Sequence, residues 1–520
     1  MDSSVRSVLP QLSTLGNFHV NLAHILEPHD ADSIALISRG NETTYGELRS
    51  QIDCLRGGLA SIGVTAGDRV ALLCSNSRHF VITYFATVGL GAIAVPLNPL
   101  SPAPALEKEI ASVGAKVVVV EKVSTATWSN VDRSLVPTVE IVLSTDGENA
   151  SEGARSIDEL LDADAVDIVD VSNEATAVLI FTSGTAGLPR AAMLTHGNVL
   201  TNIAQSKATG VLNSDDLIWS VLPLFHIFGL NVVMATGLGV GATVMLVQRF
   251  DPHSAAESIK TRRATIVPGA PAMWAAFTHF DELPADSFTT VRVALSGASK
   301  LPVPVFTAMR DRFGVEIAEG YGLTETSATV TTSLGAPIRP GSVGRAFDGV
   351  EIRLVSGDHD VLVGDVGEIW VRGANVFPGY FNDPIATAAV LTEDGWLKTG
   401  DMGVADDDGY MFIVDRAKDL VIVSGFNVYP AEVEEVLAMH PEVAEVGVVG
   451  VPHPHTAEAV KAFVVLTAGS DVDEETLIEY SLDRLARYKC PSKIMFVDEL
   501  PRNPTGKLLR RRLDDTLSVS

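Results

Sequence analysis

Short, almost uncharged β-branched runs alternate with stretches of helical pattern through most of this chain, and few folds accept that rhythm. Arg69–Ser75, Ala92–Pro96 and Ala115–Glu121 read as strands, with a helix over Phe80–Gly91. The same kind of run returns at Leu217–Leu222, Ala264–Pro268 and Val291–Ser296. A strand that is apolar on both faces can leave neither face in water, so it belongs in a parallel sheet covered on both sides by its crossover helices. With 520 residues the chain exceeds what one core serves, so two or more domains are expected.

The pattern changes near Gly341. Glycine-punctuated, alternating runs such as Val350–Val355 and Glu368–Val371 suggest an antiparallel β subdomain over about 341–415. The segment Tyr429–Lys507 reads helix, strand, strand, helix, strand, with strands at Ala444–Val449 and Lys461–Leu466 and a helix at Glu474–Ala486. The expected fold class is therefore α/β. A large N-terminal domain (1–415) holds parallel-rich sheets flanked by helices plus the β subdomain, and a small α+β C-terminal domain (416–520) follows a join at Asp415–Asp419. From Ile227 to Gln248 there is no charge, over a length that could cross a bilayer, which takes about 20 residues. Its glycines and α/β setting predict instead a buried helix and then a buried strand, Ala242–Val247, so no integral membrane segment is expected.

Composition narrows the partners. The formal charge of -27 excludes sequence-independent nucleic-acid binding, which needs a basic footprint. It leaves room for anionic substrates at a locally basic site. Cys54, Cys74 and Cys490 have no metal-ligand spacing and read as idle thiols of a reducing, cytoplasmic compartment. The N-terminal residues lack the form of a signal peptide.

The strongest local signal is Ala177–Arg190, AVLIFTSGTAGLPR. A buried strand runs into a loop of Thr182, Ser183, Gly184, Thr185, Gly187 and Arg190. Glycines let backbone N–H groups approach an anion, three hydroxyls add donors, and Arg190 adds positive charge. No Walker sequence occurs here, which argues against a P-loop kinase. A helix is expected to open near Thr195–Asn198, its relation to the anion left open. Alone, such a loop is more often a plain turn.

Further segments give it meaning. TSGTAGLPR at Thr182, PLFHIFG at Pro223, SGAS at Ser296, EGYGLTET at Glu319, TGD at Thr399, DRAKD at Asp415, GFNVYPAEVE at Gly425 and PRNPTGK at Pro501 follow one another in the order of the adenylate-forming superfamily. The chain resembles these acyl-CoA synthetases, peptide-synthetase adenylation domains and luciferases from Thr44 to Lys507. The resemblance implies that a carboxylate attacks the α-phosphorus of ATP, that pyrophosphate leaves, and that a thiol then displaces AMP. Such chemistry asks mainly for positioning and for neutralising phosphate charge. The N-terminal domain would bind ATP and the acid. By the same resemblance Tyr321 stacks on adenine, within an ATP site that takes in Glu319, Gly320 and Gly322; Thr324 touches the α-phosphate; and Glu325, with Thr185, holds Mg²⁺. Gly297, Ala298 and Ser299 wall the adenine. Asp401 and Arg416 take the ribose, and a carboxylate can accept both ribose hydroxyls. Lys507 is the main catalytic cation, steadying developing charge without acting as a base. His226 sits at the acid's carboxylate, with Ile227, Phe228 and Gly229 lining the acyl pocket. Lys418 is the hinge on which a mobile C-terminal domain turns, and Gly425 and Phe426 line the coenzyme A tunnel in the second state. Arg510, Arg511 and Arg512 are expected to be a solvated tail.

Ala186, Arg190 and Ala191 stand where the family commonly has threonine, lysine and glycine, and Arg190 keeps the charge without the compact ammonium. Leu230-Asn231-Val232 offers no carboxylate for an amino group, so an apolar acid is expected. A medium- or long-chain fatty acid comes first and a coumarate-like aryl acid second. The chain ends soon after Lys507, which favours free coenzyme A over a carrier protein as acceptor. A non-catalytic acyl-nucleotide binder on the same fold is the reading from another class. The oligomeric state is left open, with a homodimer one option.

Overall fold

The computed structural model describes residues 20–146, 153–182, 190–280, 282–357, 359–416, 419–424, 426–453, 456–502, 507–510 and 512–513. Two large sheets dominate. A nine-stranded sheet runs, in spatial order, through Arg345–Ala346, Thr331–Thr332, Ile317–Tyr321, Val293–Ser296, Ile266–Gly269, Leu217–Ser220, Thr243–Leu246, Ile34–Ser38 and Asn41–Thr44. An eight-stranded sheet runs through Gly379–Tyr380, Arg190–Thr195, Thr176–Thr182, Ile93–Pro96, Arg69–Leu73, Val117–Val120, Ile141–Ser144 and Arg155–Ser156. Inner strands are parallel; antiparallel pairs close both edges of the nine-stranded sheet and one edge of the eight-stranded sheet, whose other edge, Arg155–Ser156, pairs parallel. The strands expected from apolar runs are all present, each shorter by a residue or more.

The largest core lies where the two sheets meet through the helices between them. Phe80, Ile82, Tyr84 and Phe85 join Leu72 and Ala94 of one sheet and Ile218 and Val244 of the other. The helix Arg78–Gly89 is buried from Phe80 onward, which explains why its sequence is apolar all round rather than striped. Helix Tyr45–Ser61 starts on a reciprocal cap, with Thr44 Oγ1 accepting from Glu47 N and a Glu47 carboxylate oxygen accepting from Thr44 N. Its Tyr45 hydroxyl reaches the carbonyls of Leu238 and Ala242, at 3.1 and 2.9 Å.

The uncharged stretch folds as a π-helix, Phe228–Ala235, continued by a short α-helix, Thr236–Val240, and by the strand Thr243–Leu246. Among the described residues no helix is long and apolar enough to cross a membrane. Beyond Gly341 a five-stranded antiparallel sheet orders His359–Asp360, Val350–Ser356, Gly367–Gly373, Leu397–Ala405 and Met411–Arg416. The C-terminal sheet orders Phe426–Val428, Val421–Val423, Ala457–Leu466 and Val443–His453, with Lys493–Phe496 added parallel to Ala457–Leu466. Its own core holds Val433, Leu437, Val448, Val464 and Leu477. The Val421–Val428 hairpin carries no alternating pattern long enough to be read from sequence.

Arg510 departs from expectation. Rather than a solvated tail residue it is held by three carboxylates: Glu434 at 2.6 Å, Asp419 at 3.4 Å and Asp415 at 3.5 Å. Glu434 is itself tied to Val448 N at 2.8 Å, so the guanidinium joins the chain's end to the helix Pro430–Ala438 and to the domain join. Arg512 is exposed, and Arg511 lies outside the described residues.

Candidate active site

The strands on either side of the phosphate loop are paired with each other. Thr176–Thr182 and Arg190–Thr195 pair antiparallel, with Thr182 opposite Arg190. The helix His196–Ala208 opens on a Thr195–Asn198 reciprocal cap, at the far end of the second strand. A strand of six residues rises ~3.4 Å per residue, so the helix N-terminus sits well away from the loop, and an anion there would depend on backbone N–H groups, hydroxyls and Arg190. Ser183, Gly184, Thr185 and Gly187 lie outside the described residues. Arg190 is engaged on the far side: its Nε lies 3.3 Å from Asp383, and its guanidinium 5.8 Å from the centre of the Tyr380 ring.

The carboxyl ends of the nine-stranded sheet present the next group. Val293–Ser296 runs into Gly297, Ala298 and Ser299, and Ile317–Tyr321 into Gly322 and Thr324. Ala298 has φ +70°, which an L-residue adopts only where its surroundings hold it there. The Tyr321 hydroxyl donates to Asp401 Oδ2 at 2.9 Å, and Asp401 is opposite Arg416 across the strand pair. The residues expected at adenine and ribose are therefore neighbours. Glu319 faces inward: it is 5% exposed and accepts from Leu301 N at 3.1 Å, and burial pushes its carboxyl up to about 7.

After Gly322 the backbone tightens. A Cβ at Gly322 would fall 1.5 Å from the Ala328 carbonyl oxygen, and Ser327 and Ala328 hold φ of +56° and +106°. Three buried amides pin this strained loop. Asn231 donates to Ser327 O at 2.7 Å, Asn202 to Thr329 O at 2.8 Å, and Asn375 to Thr326 O at 3.1 Å. None of the three was singled out from sequence as a clamp; an amide within the apolar Ile227–Val247 stretch, Asn231, was the available signal. The loop carries Thr324 and Glu325 in a single 3₁₀ turn. Glu325 Oε1 accepts from the Tyr380 hydroxyl at 2.7 Å, and its other oxygen makes no hydrogen bond among the described residues. A hard, half-buried carboxylate with one oxygen to offer fits Mg²⁺, which takes few protein ligands and the rest from phosphate and water. No cluster of three or more His, Cys, Asp or Glu is present among the described residues, so the protein does not build a complete cage.

One cavity, of about 90 Å³, joins the two halves of the site. Ser296, Gly297, Ala298, Gly320, Tyr321 and Gly322 line it from the nucleotide side. His226, Ile227, Phe228, Val232 and Thr236 line it from the other, with Ser206, Leu212 and Leu334 deeper in. The wide π turn puts Phe228, Val232 and Thr236, four residues apart, on one face. Gly229 is not on the cavity: a Cβ there would meet the Pro223 carbonyl oxygen at 2.3 Å, so it serves close packing behind the wall. At Gly297 a Cβ would meet the Phe228 ring at 2.9 Å, so the wall expected at adenine and the wall expected at the acyl group touch.

His226 is neutral. Burial, and after it the positive charge of Lys507, push its pKa down to about 4. Its Nδ1 accepts from Phe228 N at 3.3 Å, which leaves the Nε2 hydrogen to donate to an oxygen in the cavity. The charge of Lys507 is thus felt at His226, although Lys507 belongs to the C-terminal segment. Polar contacts join the body to the tail domain, among them Lys300 to Glu435 at 3.0 Å, Ala431 N to Asp415 Oδ2 at 2.8 Å and Arg510 to Asp415 at 3.5 Å. Phe426 is 56% exposed and stacks on Tyr488 at 4.8 Å. It lines no described cavity in this state. Lys418 and Gly425 lie outside the described residues.

Residues 26–381 match the model of the AMP-binding enzyme family, and residues 432–507 that of the AMP-binding enzyme C-terminal domain. A long-chain-fatty-acid–CoA ligase of Bacillus subtilis (strain 168) is 34% identical, covering 93% of this chain and 91% of its own length. The 4-coumarate–CoA ligase 3 of Arabidopsis thaliana is 33% identical, covering 93% and 88%. Among solved structures, ATP-bound MatB from Rhodopseudomonas palustris superposes with a TM-score of 0.89 at 31% identity, covering 96% of this chain and 99% of that one.

Proposed function

The chain belongs to the AMP-binding enzyme family, and from that premise we propose that it joins an apolar carboxylic acid to AMP, releasing pyrophosphate, and passes the acyl group to coenzyme A with release of AMP. The observation that carries this reading is the shared cavity, where the Gly297–Tyr321 wall meets the His226–Phe228 wall. It leaves a carboxylate no distance to travel to an α-phosphate held beside Thr324. Apart from the neutral His226 its lining has no ionisable side chain but the Tyr321 phenol, so nothing in it pairs with a second charge on the acid.

In the first half-reaction a carboxylate oxygen attacks the α-phosphorus and the bond to pyrophosphate breaks. His226 Nε2–H would orient the carboxylate, and Thr324 and Lys507 would meet charge building on the phosphate oxygens. Glu325, with Thr185, would hold Mg²⁺, whose charge offsets that of the phosphates. Asp401 and Arg416 would fix the ribose and Tyr321 the base. In the second, the coenzyme A thiolate attacks the acyl carbonyl and AMP leaves, along a path lined by Gly425 and Phe426 once the C-terminal domain has turned about Lys418.

For the acid, a medium- or long-chain fatty acid is the first reading, supported by the bacillary relative. A coumarate-like aryl acid is the second, favoured by the modest cavity volume and by the plant relative. Incubation with ATP and a panel of saturated and aryl acids, following AMP with and without coenzyme A, tests both. AMP formed only with coenzyme A and an acid supports the ligase. ADP as product, or AMP released at the same rate without any acid, would overturn it.

A further inference from the structure

The segment 377–381 connects two parts of the site that are distant in sequence. At one end Phe377 N donates to Glu325 O at 2.8 Å. At the other, Gly379–Tyr380 pairs with the strand that emerges from the phosphate loop, Tyr380 opposite Ala192, and Phe381 N donates to Ala191 O at 2.8 Å. Gly379 adopts φ +144°, and a Cβ there would lie 2.6 Å from Thr387 Cγ2, so the chain reaches this position only with glycine before Tyr380.

The Tyr380 side chain is held on several sides. Its ring meets Phe377 edge-on at 5.0 Å and Arg190 at 5.8 Å, and Arg190 is itself tied to Asp383. Its hydroxyl has one described partner, Glu325 Oε1, at 2.7 Å. A phenol hydroxyl beside a carboxylate oxygen donates to it, a charge-assisted bond.

We propose that Tyr380 is a positioning residue for the divalent cation: its hydroxyl fixes one oxygen of Glu325 and turns the other toward the metal, while Arg190 and Asp383 brace the ring. The proposal rests on the reading of Glu325 as the Mg²⁺ carboxylate. An ungoverned glutamate has three rotatable bonds and must lose that freedom when the ion binds, whereas one already fixed binds with less entropic loss. The arrangement also gives the Lys-to-Arg departure at 190 a role. A guanidinium can lie against an aromatic face and reach a carboxylate at once, which an ammonium does less well.

The test uses the full-length protein with Mn²⁺ as a paramagnetic probe and a non-hydrolysable α,β-methylene analogue of ATP, followed by electron paramagnetic resonance. Wild type, Tyr380→Phe, Glu325→Gln and the double variant are titrated. Tyr380→Phe should weaken Mn²⁺ binding about 3- to 10-fold, the scale of the net contribution of one ordinary hydrogen bond. It should raise the Mg²⁺ needed for half-maximal adenylation by the same factor, leave metal-free binding of the analogue unchanged, and add nothing in the Glu325→Gln background. A merely structural tyrosine would lower the melting temperature and kcat without moving the metal requirement. Wild-type Mn²⁺ affinity in Tyr380→Phe, or an equal loss with and without Glu325, overturns the proposal. Unchanged Mn²⁺ binding in Glu325→Gln overturns the reading of Glu325, and the proposal with it.

Discussion

A neutral imidazole lines the cavity and feels the charge of a lysine ammonium, and the chemistry proposed for the protein turns on which of them meets the growing charge. His226, depressed to about 4, carries no charge at neutral pH and can only orient. Lys507 is the cation. Replacing it by alanine should lower the rate of acid-dependent pyrophosphate release by about 10²- to 10³-fold, the scale found when one preorganised oxyanion donor is lost, with ATP affinity nearly unchanged. Pyrophosphate release at the wild-type rate from that variant would remove Lys507 from the mechanism. Glu319 offers a second test at this scale, one of stability. Its buried carboxyl is raised from 4.5 to about 7, so between those values the folded state binds more protons than the unfolded state. Stability attributable to this group is therefore intact below about pH 4.5, declines as pH rises, and is lost once pH passes about 7, a cost on the order of 3 kcal/mol. Glu319→Gln removes the titration while keeping an acceptor for Leu301 N. The melting temperature of the variant relative to wild type should climb between pH 5 and pH 8. A difference that stays constant across that range would show that the carboxyl does not titrate in this window.

Between residue and molecule, the elements show what the sequence could and could not reveal. Buried parallel strands announce themselves because both faces must be apolar; Val117–Val120 and Val293–Ser296 were readable for that reason. The π-helix Phe228–Ala235 was not, since an uncharged run has no periodicity from which an extra residue per turn could be seen. The side chains of EGYGLTET and SGAS were legible as a site because the family text is specific. The amides of Asn202, Asn231 and Asn375 that clamp the Thr324–Thr329 loop were not, because their partners are backbone carbonyls brought together only by folding. Arg510 is the sharpest case. Three consecutive arginines near a chain end read as a solvated tail, yet the first of them sits among Glu434, Asp415 and Asp419. Removing one partner of a buried ion pair leaves the other charge uncompensated, which typically costs about 3–5 kcal/mol. Arg510→Ala should lower the melting transition of the C-terminal domain by a matching amount in urea titration, with the large domain unaffected. A loss below about 1 kcal/mol, the value of an exposed pair, would mean the cluster is hydrated and carries little.

At the scale of the whole molecule, two half-reactions must share one narrow site. The charge of Lys507 acts on His226, and Phe426 faces solvent, stacked on Tyr488. In the proposed second half-reaction the tail domain turns. The contact between Lys300 and Glu435 is inexpensive to break. Lys300 and Glu435 are 36% and 42% exposed, and an exposed pair of that kind contributes about 0–1 kcal/mol. The tail domain keeps its own core of Val433, Leu437, Val464 and Leu477, so rotation need not expose it. A few residues at the join can absorb the change in φ and ψ, and the sequence points to Lys418. Proline there fixes φ near ~−65° and removes one donor, without altering any group assigned to ATP or the acid. Lys418→Pro should therefore form acyl-AMP at close to the wild-type rate, read by single-turnover pyrophosphate release, and lose about tenfold or more in thioester formation from added acyl-AMP and coenzyme A. Equal losses in both assays would move the pivot elsewhere. Loss of adenylation alone would mean that the pose with Lys507 beside His226 is itself reached by turning at Lys418, and that the two half-reactions are entered in the opposite sense.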